Sequence, residues 1–235
     1  MLPLTAAAVE ANSSNEATVL SHTLHMQQGY TRSLLGSREE YVSVAEINNA
    51  CGSLLRLLQH LIDWHRIPVQ NSALRPNGEQ STVEAITARG SPLKVSRRVA
   101  DFFINEKFFA WKTFGTGCSI VTSCVLEIVS WMTDRLQLLA DDVRQHLARE
   151  EDENSPVDSS VSSCAAAVLQ SLTPPTPPYV VTQDRVDGFS VRHGDVSDEL
   201  WTIAIKKLLA VVQWCVMASR DVDSLQRLLG EEGDS

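Results

Sequence analysis

Two long stretches of this chain repeat apolar residues every third or fourth position, and each needs a partner to cover the stripe this creates. In the first, Tyr41, Val44, Ile47, Cys51, Leu54, Leu55, Leu58, Leu61 and Ile62 share one side, with Arg38, Glu46, Arg56, Gln59 and Asp63 opposite. The spacing predicts a helix over residues 38–65, opened by Ser37 as N-cap and ended by Pro68. The second runs over residues 118–146 through Val121, Val125, Ile128, Val129, Met132, Leu136, Leu139 and Val143. A helix of this length cannot bury its own apolar side, so each stretch calls for a similar helix crossed over it.

Shorter elements flank both. Thr18–Gln28 reads as a short helix ended by Gly29, residues 66–80 as a loop, and Ser81–Ala88 as another short helix. In the second half Ser96–Asn105 reads as a short helix and Lys107–Gly117 as a loop. A third helix fits either residues 158–172, capped by Asp158, or residues 196–206. The outline short–long–short therefore occurs twice, as a repeat of architecture and not of residues. Two such units in one chain can pair with each other at high effective concentration.

Residues 115–127, GTGCSIVTSCVLE, give this outline a family likeness. They resemble the start of the long helix of the two-A core histone, with Gly115, Gly117, Val125, Leu126 and Glu127 matching without a gap. Upstream, Pro92, Val95, Arg97, Arg98 and Val99 resemble the lead into that histone's first helix. In the first half Ile47-Asn48-Asn49 and Ser81-Thr82-Val83 fall where the two-B partner histone has similar residues. Order and spacing resemble the fused histone doublets of large DNA viruses.

The resemblance implies an all-α protein: two histone folds in tandem, forming an intramolecular handshake pair, plus a C-terminal helix. The expected domains are a flexible tail (1–17), a two-B-like fold (18–90), a two-A-like fold (91–172), a proline-rich linker (173–195), and a C-terminal helix with an acidic tail (196–235). That last helix, Val196–Ala218, is apolar nearly all round and is expected to be buried.

The resemblance also implies sites. Lys94, Arg97, Arg98, Lys107, Lys112, Thr113, Arg66 and Arg75 fall where a histone fold meets DNA phosphate. Glu127, Asp198 and Glu199 fall where partners dock. Departures are clear: Thr113 occupies the place of the arginine that enters the minor groove, and the basic tails are missing.

Charge argues the other way. The net charge is −9, and residues 151–235 hold fourteen of the 29 acidic side chains against six of the 20 basic ones. Nucleic-acid binders normally carry a basic excess, because phosphate neutralisation supplies much of the affinity. The implied function is a histone-like DNA-packaging doublet forming a nucleosome-like particle. The alternative is an acidic histone-fold interaction subunit of a transcription or chromatin complex that does not touch DNA. A third option is an unrelated helical scaffold.

Expected partners are other histone-like proteins and, for packaging, double-stranded DNA without sequence preference, with no membrane and no small-molecule substrate. Expected localisation is nucleus or chromatin, or virion or viral factory. No run reaches the roughly 18 consecutive apolar residues of a bilayer span. The five cysteines (Cys51, Cys118, Cys124, Cys164, Cys215) form no CxxC pair. His22 and His25 have metal-compatible spacing without a neighbouring carboxylate or thiol, and His60 and His65 read as helix-end residues. No nucleophile motif is present, so no enzyme activity and no cofactor are expected. The dense aromatics Phe102, Phe103, Phe108, Phe109, Trp111 and Phe114 read as core packing or as a docking patch.

Overall fold

A computed structural model describes residues 44–88, 95–104, 110–153, 174–192 and 195–230. The chain contains helices and antiparallel strands in alternation, and the expected all-α pair of histone folds does not form. The order is α1 (Val44–His65), β1 (Ser72–Arg75), a 3-10 turn at Gly78–Gln80, β2 (Thr82–Ala88), β3 (Val95–Asp101), α2 (Ala110–Glu153), β4 (Arg185–Val186), β5 (Phe189–Ser190) and α3 (Asp198–Leu228). Helices expected at 18–28 and 158–172 lie outside the described residues, as do Lys94, Lys107, Phe108 and Phe109.

The chain divides into two compact units. The first comprises residues up to Ile128 together with Pro178–Gln213, and the second Val129–Pro177 with Trp214–Ser235.

In the first unit, α1 buries Ile47, Ala50, Cys51, Leu54, Leu55, Leu58 and Leu61, the stripe its periodicity marks. Its end is a Schellman cap: Ile67 N–H donates to Ile62 O at 2.9 Å and Arg66 N–H to Asp63 O at 3.4 Å. Arg66 takes the left-handed conformation (φ 53°) usually left to glycine, and buried Ile67 and then Pro68 follow.

Two of the segments expected as short helices are strands instead. β2 pairs antiparallel with both β1 and β3, with Ala73 opposite Glu84 and Glu84 opposite Val99. Residues 82–88, TVEAITA, pair as a pleated strand in which Val83 is fully buried and burial falls away along the same face to the exposed Thr87. Seven residues are too few for a 3.6-residue period to be distinguished from a period of two. The β2–β3 pairing also runs across the boundary expected at residues 90 and 91.

Helix α2 begins at Ala110 and passes through Gly115–Gly117, the end of a segment (107–117) expected to be loop. Position 117 in this helix is a glycine because the backbone of Asp101 and Phe102 lies against it, where a Cβ would collide with the Asp101 carbonyl oxygen. Gly52 of α1 plays the same part against the Gly78 carbonyl. Two helices thus rest on the backbone at one end of the β2–β3 pair, where Phe102 N–H also donates to Ser81 O. Phe102 stacks on Phe114 with ring centroids 5.8 Å apart, so these two aromatics pack in the core. Thr122 and Ser119 of α2 donate within the helix, to Cys118 O (2.8 Å) and Gly115 O (3.2 Å), whereas Ser123 Oγ donates to Gln183 O at 3.0 Å.

Part of the expected proline-rich linker is a hairpin. Asp187 (φ 52°) and Gly188 (φ 81°) form the two-residue turn between β4 and β5, both in the positive-φ region that such tight hairpins need. Ser197 caps α3, its carbonyl accepting Trp201 N–H at 2.9 Å. In this unit α3 buries Trp201, Ala204, Ile205, Leu208, Val211 and Val212.

The second unit contains the later turns of α2 and α3. Met132, Leu136, Leu139, Ala140 and Val143 are buried on the former, and Trp214, Cys215, Ala218 and Val222 on the latter. The segments Lys112–His146 and Glu199–Arg227 are long and apolar enough by composition to cross a bilayer, although no uninterrupted apolar run exists. The first is mostly buried in the protein, whereas the second is about half buried and exposes Leu200, Ile203 and Met217, so the expected all-round burial of that helix does not occur.

Candidate functional site

Four polar arrangements organise the first unit, and one of them faces solvent. On β1–β3, alternation sends Ser72, Val83 and Ala100 to the buried face and Arg75, Glu84, Ile86, Arg97 and Val99 to the other. Glu84 is central there, and its side chain is only 5% exposed. Arg75 Nη2 bonds its carboxylate at 2.9 Å, while Arg97 Nε lies 3.9 Å away. Both arginines remain more than half exposed. Two guanidinium groups share one carboxylate, so the cluster keeps a net positive charge. Arg98 is exposed on the opposite face of β3, and Val99 is 60% exposed beside Arg97.

The other three hold the scaffold. Asn48 bonds Ile104, just beyond β3. Glu127 Oε2 accepts Gln70 N–H at 2.7 Å, and the carboxylate also accepts Asn71 N–H, which closes the α1–β1 connection onto α2. Lys207 on α3 is held by the Asp187 carboxylate and lies over the rings of Tyr179 (4.8 Å) and Phe189 (4.6 Å). Arg192 joins the same region to α2, its Nε donating to Ser119 Oγ at 2.8 Å.

The described residues expected to contact DNA are dispersed over several elements. Arg75 and Arg97 meet at Glu84, and Arg98 faces away from them. Arg66 is the left-handed cap of α1, while Lys112 and Thr113 lie in the exposed early turns of α2. Of the residues expected to dock partners, Glu127 is engaged by the Gln70–Asn71 backbone. Asp198 and Glu199 begin α3, where the helix dipole favours negative charge. Sequence reasoning misses the Glu84 cluster and the Lys207 cage. Alternation in TVEAITA and the Asp-Gly pair in VDGF are the signals that point toward them.

Burial governs the cysteines. It pushes the Cys51 thiol up to about 12 and that of Cys118 well above its ordinary range, with the neighbouring Cys51 adding to the latter. Cys124 also rises to about 12, chiefly through burial.

Helices laid on small antiparallel sheets, with the carboxylate and amide clamps between them, define an α+β scaffold with polar surface clusters. Residues 32–221 match the Apg6 BARA domain, and the chain belongs to that family. It is 26% identical over 195 residues to vacuolar protein sorting-associated protein 30 of Saccharomyces cerevisiae, covering 78% of this chain and 34% of the relative. To the protein of that name in Candida glabrata it is 28% identical over 197 residues, covering 82% of this chain and 38% of the relative. The chain thus spans little more than a third of these relatives' length.

Membership overturns the histone reading. The GTGCSIVTSCVLE match is a helix-packing segment, in which Gly117 admits a strand end and Glu127 caps a loop. DNA packaging in a nucleosome-like particle falls with it. So do the chromatin-subunit alternative, the histone and DNA partners, and the nuclear, chromatin or virion location.

Proposed function

We propose that this chain acts in the sorting of proteins to the vacuole, as a non-catalytic interaction module on that route. The observation that carries the proposal is the Apg6 BARA match over residues 32–221, joined to two relatives named for vacuolar protein sorting. The architecture is in keeping with such a role. Its polar residues are spent mainly on holding helices to sheets, and its buried thiols are poor nucleophiles at neutral pH. What it leaves at the surface is a charged strand and a set of exposed side chains.

A chimera tests this. The matched segment of the Saccharomyces cerevisiae relative is replaced by this chain in cells lacking that relative, and secretion of a vacuolar hydrolase is measured. Retention of the hydrolase is the expected result. Secretion at the level of the deletion strain, with the chimera present at normal abundance, overturns the proposal.

A further inference from the structure

We propose that β3 is a docking edge for an extended acidic segment of a partner protein, which adds to the sheet as a fourth strand. This inference concerns a surface and a partner chemistry, and it does not depend on the sorting role. Among the described residues β3 pairs with β2 alone, so it ends the sheet in the order β1–β2–β3. Ser96, Arg97, Arg98 and Val99 are all exposed, although their side chains alternate between the two faces. Both faces of β3 are thus uncovered at these positions, and among the described residues no strand pairs with its outer edge.

The direction of the backbone groups follows from the register. Phe102 N–H donates to Ser81 O at 3.0 Å, which makes Ser81 and Phe102 a hydrogen-bonded pair. In an antiparallel ladder such pairs alternate with non-bonded ones. Ala100 opposite Val83 and Arg98 opposite Ala85 are therefore bonded pairs, while Val99 and Arg97 turn their N–H and C=O groups outward. An edge of this kind is a template for strand addition.

Charge selects the occupant. Arg97 carries the outer-face cluster in which two arginines share Glu84, and Arg98 carries a second positive charge on the other face. An added strand with acidic side chains would place carboxylates beside both. A second copy of β3 would instead set arginines against arginines, which cross-strand pairing disfavours. Val99, 60% exposed between the charges, offers an apolar contact to the incoming strand.

The probe is a fluorescein-labelled peptide of alternating glutamate and valine, titrated by anisotropy against the full 235-residue chain. Saturable binding is expected, weakening as salt rises, with no binding of the peptide that has lysine in place of glutamate. Val99→Pro removes an outward N–H without touching a bond to β2, and should weaken binding by at least about tenfold. If that variant fails to fold by circular dichroism, Arg98→Glu serves instead, with the same loss expected. Equal binding of the lysine peptide, or no binding of the acidic one to folded protein, overturns the proposal and leaves the arginines as guards against aggregation. A homodimer in sedimentation that Val99→Pro or Arg98→Glu dissolves makes a second copy the occupant and overturns it equally.

Discussion

The buried side chain of Asn48 holds both backbone groups of Ile104, its Nδ2 donating to the carbonyl oxygen at 2.9 Å and its Oδ1 accepting the N–H at 2.7 Å. One residue of α1 thereby completes the hydrogen bonding of a segment 56 positions away, just after β3 leaves the sheet. Asn48→Leu leaves a buried donor and acceptor unmet and should cost about 2–4 kcal/mol in urea unfolding, since each such group costs roughly 1–3 kcal/mol. Asn48→Asp keeps the shape but loses the donor, so it should be destabilising as well. A change within about 0.5 kcal/mol for the leucine variant would show that the clamp contributes nothing.

Gly52 and Gly117 give a case where packing and propensity predict opposite signs. Alanine in mid-helix is favoured over glycine by roughly 0.8–1 kcal/mol. Here the added methyl meets the Gly78 or Asp101 carbonyl, and the helix must move off the strand end. Gly52→Ala and Gly117→Ala should each lower stability by about 1–3 kcal/mol, as overpacked sites do. A rise in thermal unfolding temperature for either variant would mean that helix propensity outweighs the collision.

Arg66 offers the reverse test. A non-glycine residue in the left-handed region costs roughly 1–2 kcal/mol. Arg66→Gly keeps the cap bonds, relieves that strain and loses some through the looser unfolded chain. The net expectation is a gain of about 0.5–1 kcal/mol in urea unfolding. A loss would mean that the arginine side chain itself holds the turn.

Buried thiols make stability fall at high pH. Burial raises Cys51 from 9.0 to about 12, so the folded chain keeps a proton that the unfolded chain loses. Above pH 9 the unfolded state binds fewer protons, and the slope of stability against pH is negative. The stabilisation is complete below pH 9 and is lost as pH rises toward 12. Cys124 acts in the same direction. Urea midpoints should decline over that window, and less steeply in Cys51→Ala measured against its own value at about pH 8, below the ordinary thiol range. Near that pH iodoacetamide should label these thiols only as fast as the protein unfolds; rapid labelling of folded protein would contradict their burial.

Helices are the legible part of this sequence. The stripe from Val44 to Leu61 is a buried helix face, and the apolar run from Trp201 onward is another. Strands are not legible for a reason of length: Thr82–Ala88 and Val95–Asp101 are seven residues each, two helical turns. At that length a few apolar residues fit either period. Glycine misleads in the other direction. Gly115 and Gly117 read as a loop, as glycine pairs often do, whereas Gly117 serves close approach inside a helix. The histone likeness has the same origin, because a Gly-x-Gly before a long amphipathic helix is common to both folds. The strand that carries Glu84 is hinted at by TVEAITA, but the cluster around it is not readable from sequence. It joins residues from three strands, and an ion pair across strands is visible only once the register is known.

The cage around Lys207 couples the hairpin to α3. A hairpin with two residues in each strand has too little of its own to persist in water. The Asp187–Gly188 turn is held to α3 through Lys207, which lies over the Tyr179 and Phe189 rings, and its flanks to α2 through Ser119 and Ser123. The hairpin is therefore expected to lose its protection whenever α3 opens, which hydrogen exchange of its amides can check. Its amides would serve as a clock for α3, exchanging with solvent as soon as that helix lets go.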